Sequence, residues 1–171
     1  MLKYLDQNTT EILLPTFFSS KLDNCNALLF GLPKYQLNKL QLIQNTAARI
    51  ATLTKKYDHV TPVLIKLHWL PVHFRIIFKV NLLVYKGLNG LASGYISDLL
   101  SYKTCSRSLR SSSQKLLDVP KSRTYGDRAF EVAAPRLWNS LPFHLRTISN
   151  INIFKNQMKT YPFKLAYNDY L

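Results

Sequence analysis

The sequence predicts a mainly α-helical fold, an irregular helical bundle with one basic loop and at most one or two short strands. Three observations support this. Apolar residues recur at three- and four-residue steps in several segments. Proline and glycine stand where such segments would begin and end. The helical pattern is lost only between Ser101 and Gly126, where Ser, Thr, Lys and Arg dominate.

Two helical segments are predicted near the N-terminus. A short pattern covers residues 9–18, in which Pro15 marks a kink or a boundary. Residues 20–33 can continue as a helix through Cys25 that stops at Gly31, because glycine favours the C-terminal end of a helix.

A clearer helix is predicted from Gln36 to Thr54. Its apolar line consists of Leu40, Ile43, Ala47 and Ile50. The small Ala47-Ala48 pair would let a second helix approach closely. Thr61 as cap and Pro62 in the first turn then predict a short helix that ends at Leu67.

The strongest pattern belongs to a helix that begins near Pro71 and is stopped by Gly87 and Gly90. Its broad apolar face comprises Ile76, Ile77, Val80, Leu83, Val84 and Leu88. Arg75, Lys79 and Lys86 fall in one narrow stripe roughly opposite this face. Further apolar residues widen the face. We therefore expect neighbouring elements to cover this helix on most sides and the helix to lie at the centre of the core.

The following segments are shorter. Residues 93–100 predict a brief helix whose inward side chains are Tyr95, Ile96, Leu99 and Leu100. Residues 101–126 form the predicted basic loop, with one short strand at most, at residues 115–119.

Capping residues and prolines divide the C-terminal part. Asp127 is predicted to cap a helix over residues 128–134, and prolines head short turns or helices at residues 135–140 and 142–146. Ser149 or Asn150 caps a last helix that Pro162 limits, and residues 162–171 are expected to be frayed. The inward residues of that helix are Ile151, Phe154 and Met158.

The chain of 171 residues suits one domain or two small ones. We predict a helical thumb-like segment over residues 1–100, a basic loop or linker over residues 101–126, and a C-terminal extension of short helices over residues 127–171 that packs on the first segment.

The charge is strongly basic, with 23 Lys and Arg against 9 Asp and Glu and a formal net charge of +14. Such an excess favours a polyanionic partner, nucleic acid or acidic lipid. The alternative is a solvated basic surface without a partner. The N-terminus has no signal-peptide core, and no stretch approaches the about 18 uninterrupted apolar residues of a membrane span. We therefore expect an intracellular protein, nuclear or cytoplasmic and not secreted, with no membrane partner.

The sequence contains none of the catalytic motifs considered. The nine acidic residues are scattered and form no adjacent pair for two-metal catalysis, and phosphate-binding glycine loops and nucleophile motifs are absent. No cofactor, metal or small-molecule substrate is expected, and each histidine is read as structural or solvent-facing. Trp69 and Trp138 are read as core anchors in preference to base-stacking platforms. Cys25 and Cys105 lack metal-site spacing; two buried thiols are favoured over a disulfide.

Two basic clusters are candidates for nucleic-acid binding. The first lies in the helical part, between Lys34 and Lys86, and the second lies in and after the loop, between Lys103 and Arg128, where Ser and Thr hydroxyls are interleaved. The candidate contact residues are Arg49, Lys56, Arg75, Lys79, Lys86, Arg107, Arg110, Lys121, Arg123 and Arg128. This combination suits contact with a phosphate backbone more than base reading; the alternative for the second cluster is a solvated loop.

Five ordered blocks resemble a known family. They read SKLDNCNALLFGLP, LQLIQNTAARI, TPVLIKLHWLPVHFRIIFKV, SRSLRSS and SRTYGDRAFEVAAPRLWNSLP. In this order they resemble the C-terminal part of the open reading frame of LINE-type non-LTR retrotransposons, the thumb-like helices of the reverse transcriptase and the C-terminal extension beyond them. Asn24 stands where that family usually has Tyr.

The resemblance implies a fragment of an RNA-directed DNA polymerase and a partner that is RNA or an RNA–DNA hybrid. The aspartates of the polymerase centre belong upstream of the matched blocks in that family, so no catalytic residue carries over and the chain is not expected to be an enzyme by itself. The alternatives are a protein-interaction module, whose apolar faces pack against the polymerase palm of a parent protein, and a non-functional retrotransposon remnant.

Overall fold

The structure is a computed structural model that describes residues 16, 20–104 and 114–170, apart from the side chains of residues 124, 125 and 169. Its α-helices are α1 (Lys34–Thr52), α2 (Thr61–Lys66), α3 (Val72–Leu88), α4 (Gly94–Asp98), α5 (Phe130–Ser140), α6 (Phe143–Arg146) and α7 (Ile151–Tyr167). Residues 20–23 are also helical, and 3₁₀ helices cover Asn26–Leu29, Thr124–Arg128 and Asn168–Tyr170.

The predicted mainly α fold is confirmed. Extended pairing within the described ranges is limited to an isolated antiparallel bridge between Tyr102 and Leu117. Among the described helices, none combines the length and the apolar character needed to cross a membrane.

The chain forms two compact units. The first comprises Met1–Ile76 and Pro162–Leu171, and the second comprises Ile77–Tyr161. The predicted division at residues 100 and 126 follows sequence patterns, not these units, and stays a prediction.

The core of the first unit is built on small residues of α1. Ala47 and Ala48 pack with Leu64 of α2 and with Trp69 and Tyr167. Alanine lets the backbones of α1 and α2 approach closely, as the Ala47-Ala48 pair predicts, and the interpretation of Trp69 as a core anchor is confirmed.

The predicted apolar line of α1 is wrong in one respect. Ile43 and Ile50 are exposed, with 54% and 36% of their surface accessible, while the polar Gln44 is fully buried. The Gln44 amide nitrogen donates to the Leu70 carbonyl oxygen at 2.8 Å, and the Gln41 amide oxygen accepts from the Val72 N–H at 2.9 Å. Two glutamines of α1 therefore fix the chain at the start of α3, and this long-range bonding outweighs side-chain hydrophobicity.

The segment before α1 departs from the predicted continuous helix. Cys25 has a φ of 52°, so a left-handed residue separates the helical residues 20–23 from the 3₁₀ helix Asn26–Leu29. Gly31 ends the segment with a φ of 74°, as its predicted stop position requires. Cys25 is an exposed free thiol, so the expectation of a buried thiol is wrong for this residue. Cys105, and the predicted helix over residues 9–18 except Thr16, lie outside the described residues.

The core of the second unit surrounds α3. The Tyr85 ring stacks on Phe154 of α7 with centroids 4.2 Å apart, and Trp138 of α5 lies 6.0 Å from the same Phe154 ring. The Tyr85 hydroxyl donates to the Ser149 carbonyl oxygen at 2.5 Å. Every residue of α3 from Phe74 onward is buried or half-buried, as its pattern predicts. Trp138 is confirmed as a core anchor.

Three local predictions in this unit are wrong. Gly87 lies inside α3 and does not stop it; Gly90, with a φ of 66°, follows the helix end. Tyr95 of α4 and Leu99, which directly follows α4, are exposed, since a five-residue helix buries little of its surface. Asp127 does not cap α5: it lies in the preceding 3₁₀ helix and pairs with Arg136.

Prolines divide the C-terminal part less than predicted. Pro135 lies within α5 and Pro162 within α7, so neither ends a helix. Asn150 does cap α7, because its side-chain oxygen accepts from the N–H groups of Asn152 and Ile153 at 2.8 and 3.3 Å. The expected fraying after Pro162 is also wrong, since Tyr167 is buried in the core of the first unit.

Candidate nucleic-acid interface

The cations of α3 are less available than the predicted stripe implies. The Arg75 side chain is only 12% exposed, and its Nη1 donates to both carboxylate oxygens of Asp23, at 3.1 and 2.9 Å. Its Nε also donates to the Leu70 carbonyl oxygen at 2.9 Å. Lys79 and Lys86 are half-buried. Arg75 therefore has a structural role, and α3 presents no open cationic face.

Arg49 and Lys56, near the end of α1, differ in how available they are to a ligand. The half-buried Arg49 donates from Nη2 to the Asp58 carbonyl oxygen at 2.9 Å and holds the loop after α1. Lys56 is exposed, with its Nζ 5.9 Å from the centroid of the neighbouring Tyr57 ring. Lys56 alone of this pair is free to meet a ligand.

The cations of the second cluster lie on an exposed segment. Lys121, Arg123 and Arg128 are exposed, whereas Arg107 and Arg110 lie outside the described residues. The predicted strand at residues 115–119 is reduced to the bridge at Leu117. The Lys103 N–H donates to the Leu116 carbonyl oxygen at 2.9 Å, and the Asp118 N–H donates to the Ser101 carbonyl oxygen at 2.8 Å.

Side chains of α5 and α6 hold the chain that leads into this cluster. Asn139 forms a two-way amide pair with Leu117: the Leu117 N–H donates to Oδ1 at 2.8 Å, and Nδ2 donates to the Leu117 carbonyl oxygen at 2.8 Å. The Trp138 indole N–H donates to the Lys115 carbonyl oxygen at 3.1 Å. Arg146 Nη1 donates to the Gln114 carbonyl oxygen at 2.7 Å. Residues 114–117 are therefore anchored to the helical core although none of the α-helices contains them.

The chain beyond this anchor forms one wall of an open groove, which we call the basic groove. Its volume is about 720 Å³, and its lining residues are Val119, Pro120, Lys121, Ser122, Arg123 and Arg136. Arg136 comes from α5 and pairs with Asp127 at 2.9 Å, both side chains being about half exposed. Three cations and one hydroxyl thus surround a concave surface.

A second cavity of about 510 Å³, which we call the Arg146 cavity, shares Val119 with the basic groove. Its polar lining comprises Lys103, Gln114, Asp118, Asn139 and Arg146. Burial lowers the pKa of the Arg146 guanidinium, since desolvation disfavours its charged form. Arginine nevertheless stays protonated, so a permanent charge lies beside this cavity.

Sequence reasoning missed Arg136, Asn139 and Arg146. Arg136 and Arg146 lie in apolar stretches outside the charge-rich loop, so a search for clustered cations passes over them. Asn139 carries no local signal, because its partner Leu117 is 22 residues away. The predicted Lys121 and Arg123 are brought together with Arg136; Lys79 and Lys86 do not line the groove.

The arrangement can bind anions by charge and hydrogen bonding. The described residues contain no group of three or more His, Cys, Asp or Glu side chains that could hold a metal ion. All four histidines are exposed, as the solvent-facing interpretation predicts.

Comparisons with known proteins add no relative: neither a protein-family model nor a curated protein nor a solved structure matches this chain. The resemblance to the C-terminal region of LINE-type reverse transcriptases therefore stays a prediction from the five sequence blocks.

Proposed function

We propose that this chain binds the phosphate backbone of nucleic acid, RNA or an RNA–DNA hybrid, without reading its sequence. The observation that carries the proposal is the basic groove, in which Lys121, Arg123 and Arg136 line one concave surface with the Ser122 hydroxyl. Lysine and arginine neutralise phosphates and release their counterions, and serine is a common donor to phosphate oxygens.

The lining of the groove favours backbone contact over base recognition. Its lining cations and Ser122 are residue types that commonly contact phosphate oxygens. Asp127 is the acidic residue paired with a groove cation, and it holds Arg136 without neutralising Lys121 or Arg123. The overall net charge of +14 would add long-range attraction for any polyanion.

We further propose the kind of protein from which such a chain derives: a retrotransposon reverse transcriptase, of which it carries the thumb-like helices and C-terminal extension without the catalytic palm. The support is the ordered resemblance of the five sequence blocks. On this proposal the chain holds template RNA or a primer–template duplex and does not itself polymerise, since its scattered acidic residues include no paired aspartates.

The test measures the affinity for a fluorescently labelled RNA or RNA–DNA hybrid between 50 and 200 mM salt, about the range in which such contacts weaken steeply. The groove variant carries Lys121→Gln, Arg123→Gln and Arg136→Gln. Loss of three phosphate contacts should flatten the slope of log affinity against log salt by about 2 to 3.

A matched control keeps the change in net charge equal. Lys34, Lys39 and Lys55 are exposed cations of the first unit, and replacing all three by Gln removes the same charge. Equal slopes for the groove and control variants would contradict the proposal, because binding would then follow net charge alone. Arg75 is unsuitable for this test, because its side chain is largely buried and holds both Asp23 and the Leu70 carbonyl oxygen, whereas the Arg136–Asp127 pair is about half exposed.

A second candidate function is protein interaction through the outer face of α1. Tyr35, Leu42 and Ile43 of α1 and Leu53 directly after it are exposed, between 54% and 73% of their surface, and grouped exposed apolar residues can mark an interaction site. On the proposed origin, the occupant would be the polymerase palm of a parent protein.

Light scattering of the purified chain tests this alternative. Self-association that is abolished by Leu42→Gln with Ile43→Gln would favour an interaction face. A monomer at high concentration that binds RNA through the groove would favour the first proposal.

A further inference from the structure

Arg146 is a buried cation whose charge is poorly compensated. Arg146 is the last residue of α6, and only 7% of its surface is exposed. Nη1 donates to the Gln114 carbonyl oxygen at 2.7 Å, whereas Nε is buried and has no hydrogen-bond partner. Within the residues that the structure describes, no carboxylate oxygen lies within 4.0 Å of the Arg146 guanidinium.

A buried arginine in this state is unusual. Buried charges are normally paired and fully hydrogen-bonded, and arginine cannot lose its charge by releasing a proton. The sequence just before Gln114, residues 105–113, contains no Asp or Glu that could pair with it. A counter-anion from outside the chain would compensate the charge of the Arg146 guanidinium.

The Arg146 cavity offers a place for that anion. Lys103 is exposed and lines the same cavity, so two cations face one space of about 510 Å³. Asp118 also lines it and is exposed, which leaves a net charge of +1 among the lining side chains. Asn139 can offer an anion at most the second N–H of Nδ2, since Oδ1 and the first N–H are bonded to Leu117.

We propose that the Arg146 cavity binds a phosphate monoester or free inorganic phosphate, with the Arg146 guanidinium at its inner end and the Lys103 ammonium at its mouth. Guanidinium donors match the spacing of phosphate oxygens and bind them in pairs. A terminal phosphate can enter a cavity whose cation is almost wholly buried, whereas a phosphodiester carries a substituent on both sides. The site requires none of Lys121, Arg123 and Arg136, so it is independent of the proposed nucleic-acid groove.

The test measures the thermal stability of the full chain with increasing inorganic phosphate, at constant ionic strength, against chloride and acetate. A ligand that binds only the folded state raises the melting temperature in a saturable way. We expect a rise with phosphate and none with acetate or chloride. Equal curves for the three anions would overturn the proposal.

Arg146→Gln would also remove the hydrogen bond to Gln114 and could disturb folding. The site is therefore tested at two exposed lining positions, Lys103 and Asp118. Lys103→Gln should weaken apparent phosphate affinity roughly two- to fivefold, and Asp118→Asn should strengthen it by a similar factor. Lys115→Gln removes an exposed cation of the same segment that does not line the cavity, so it should change nothing. If Lys103→Gln and Asp118→Asn both leave the phosphate affinity unchanged, the cavity is not the site.

A competition experiment identifies the source of the phosphate. Oligonucleotides with a 5′-phosphate or a 5′-hydroxyl end are added to the phosphate-bound protein. Displacement by the phosphorylated strand alone would assign a strand end, and displacement by neither would assign a free phosphate. If the oligonucleotides bind equally and inorganic phosphate does not stabilise the protein, the inference fails while the basic-groove proposal stands.

Discussion

The hydroxyl of Tyr167 donates a 2.6 Å hydrogen bond to the carbonyl oxygen of Trp69, across 98 residues of sequence. Tyr167 also packs edge-on against Phe163 at 4.8 Å between ring centroids. This bond joins the last turn of α7 to the chain that enters α3. It explains why a C-terminal segment with a proline inside its helix is ordered.

Replacing Tyr167 by Phe removes this hydrogen bond and little volume. The free energy of unfolding should fall by about 1–2 kcal/mol, the usual effect of a lost buried hydrogen bond. Urea denaturation followed by circular dichroism measures the change. Tyr57→Phe is the matched control. Tyr57 is almost fully exposed, so loss of its hydroxyl should leave the urea midpoint unchanged. A Tyr167→Phe protein as stable as the wild type would show that the bond contributes nothing.

Stability at alkaline pH should depend on the same hydroxyl. Burial raises the pKa of Tyr167 from 10.0 to about 12, and the nearby Arg75 charge opposes this only in part. The proton is retained longer in the folded state, so the contribution is complete below pH 10 and is lost as the pH rises to about 12. The gap in unfolding free energy between the wild type and Tyr167→Phe should therefore narrow over this window, by at most about 1.4 kcal/mol per pH unit. A constant gap would contradict the raised pKa.

The sequence predicted the elements whose own residues decide them. The period of α3 and its near-complete burial, the two tryptophan anchors and the Asn150 cap all follow from local patterns. For α1 the packing of Ala47 and Ala48 was predicted. The exposure of Ile43 and the burial of Gln44 were not, because the Gln44 side chain bonds Leu70, 26 residues away.

Long-range hydrogen bonds account for most of what sequence patterns missed. Arg75 looks like a surface cation of an amphipathic helix, yet its partner Asp23 lies 52 residues away. Arg146 bonds a carbonyl 32 residues away, and no period or spacing reveals such a pair. Lys121 and Arg123 were predicted as candidate contacts because a charge-rich stretch is visible in the sequence without knowledge of distant partners. The buried cation that completes the second cavity was not.

The aromatic contacts of Phe154 predict a large effect of truncation. Its ring is fully buried between Tyr85 and Trp138, so Phe154→Ala leaves a cavity in the core of the second unit. We expect a loss of about 3–5 kcal/mol in the free energy of unfolding. Phe143→Ala, at a half-exposed ring of α6, should change it by about 0.5 kcal/mol or less. Similar losses for both variants would mean that Phe154 is not a core residue.

The amide pair between Asn139 and Leu117 predicts how the basic loop is held. Asn139→Ala removes both bonds, and we expect a loss of about 2 kcal/mol. The more specific readout is amide hydrogen exchange: the Leu117 N–H should lose protection while the α3 core keeps its own. Asn139→Asp keeps the acceptor for that N–H and should preserve most of the protection. Unchanged exchange at Leu117 in Asn139→Ala would contradict the anchoring role.

Two neighbouring glycines predict opposite effects of the same substitution. An added Cβ would meet no atom within 4 Å at either Gly90 or Gly94, so sterics from the surroundings are equal. Gly90 has a φ of 66°, a left-handed conformation that costs an L-residue about 1–2 kcal/mol, whereas Gly94 opens α4 without a positive φ. Gly90→Ala should therefore destabilise by about 1 kcal/mol, and Gly94→Ala should stabilise by roughly 0.4–1 kcal/mol because it restricts the unfolded chain. Thermal and urea melts of the two variants, with Gly90→Asn as an intermediate that tolerates the left-handed region, measure the difference. Effects of the same sign at both positions would show that backbone conformation does not decide the outcome here.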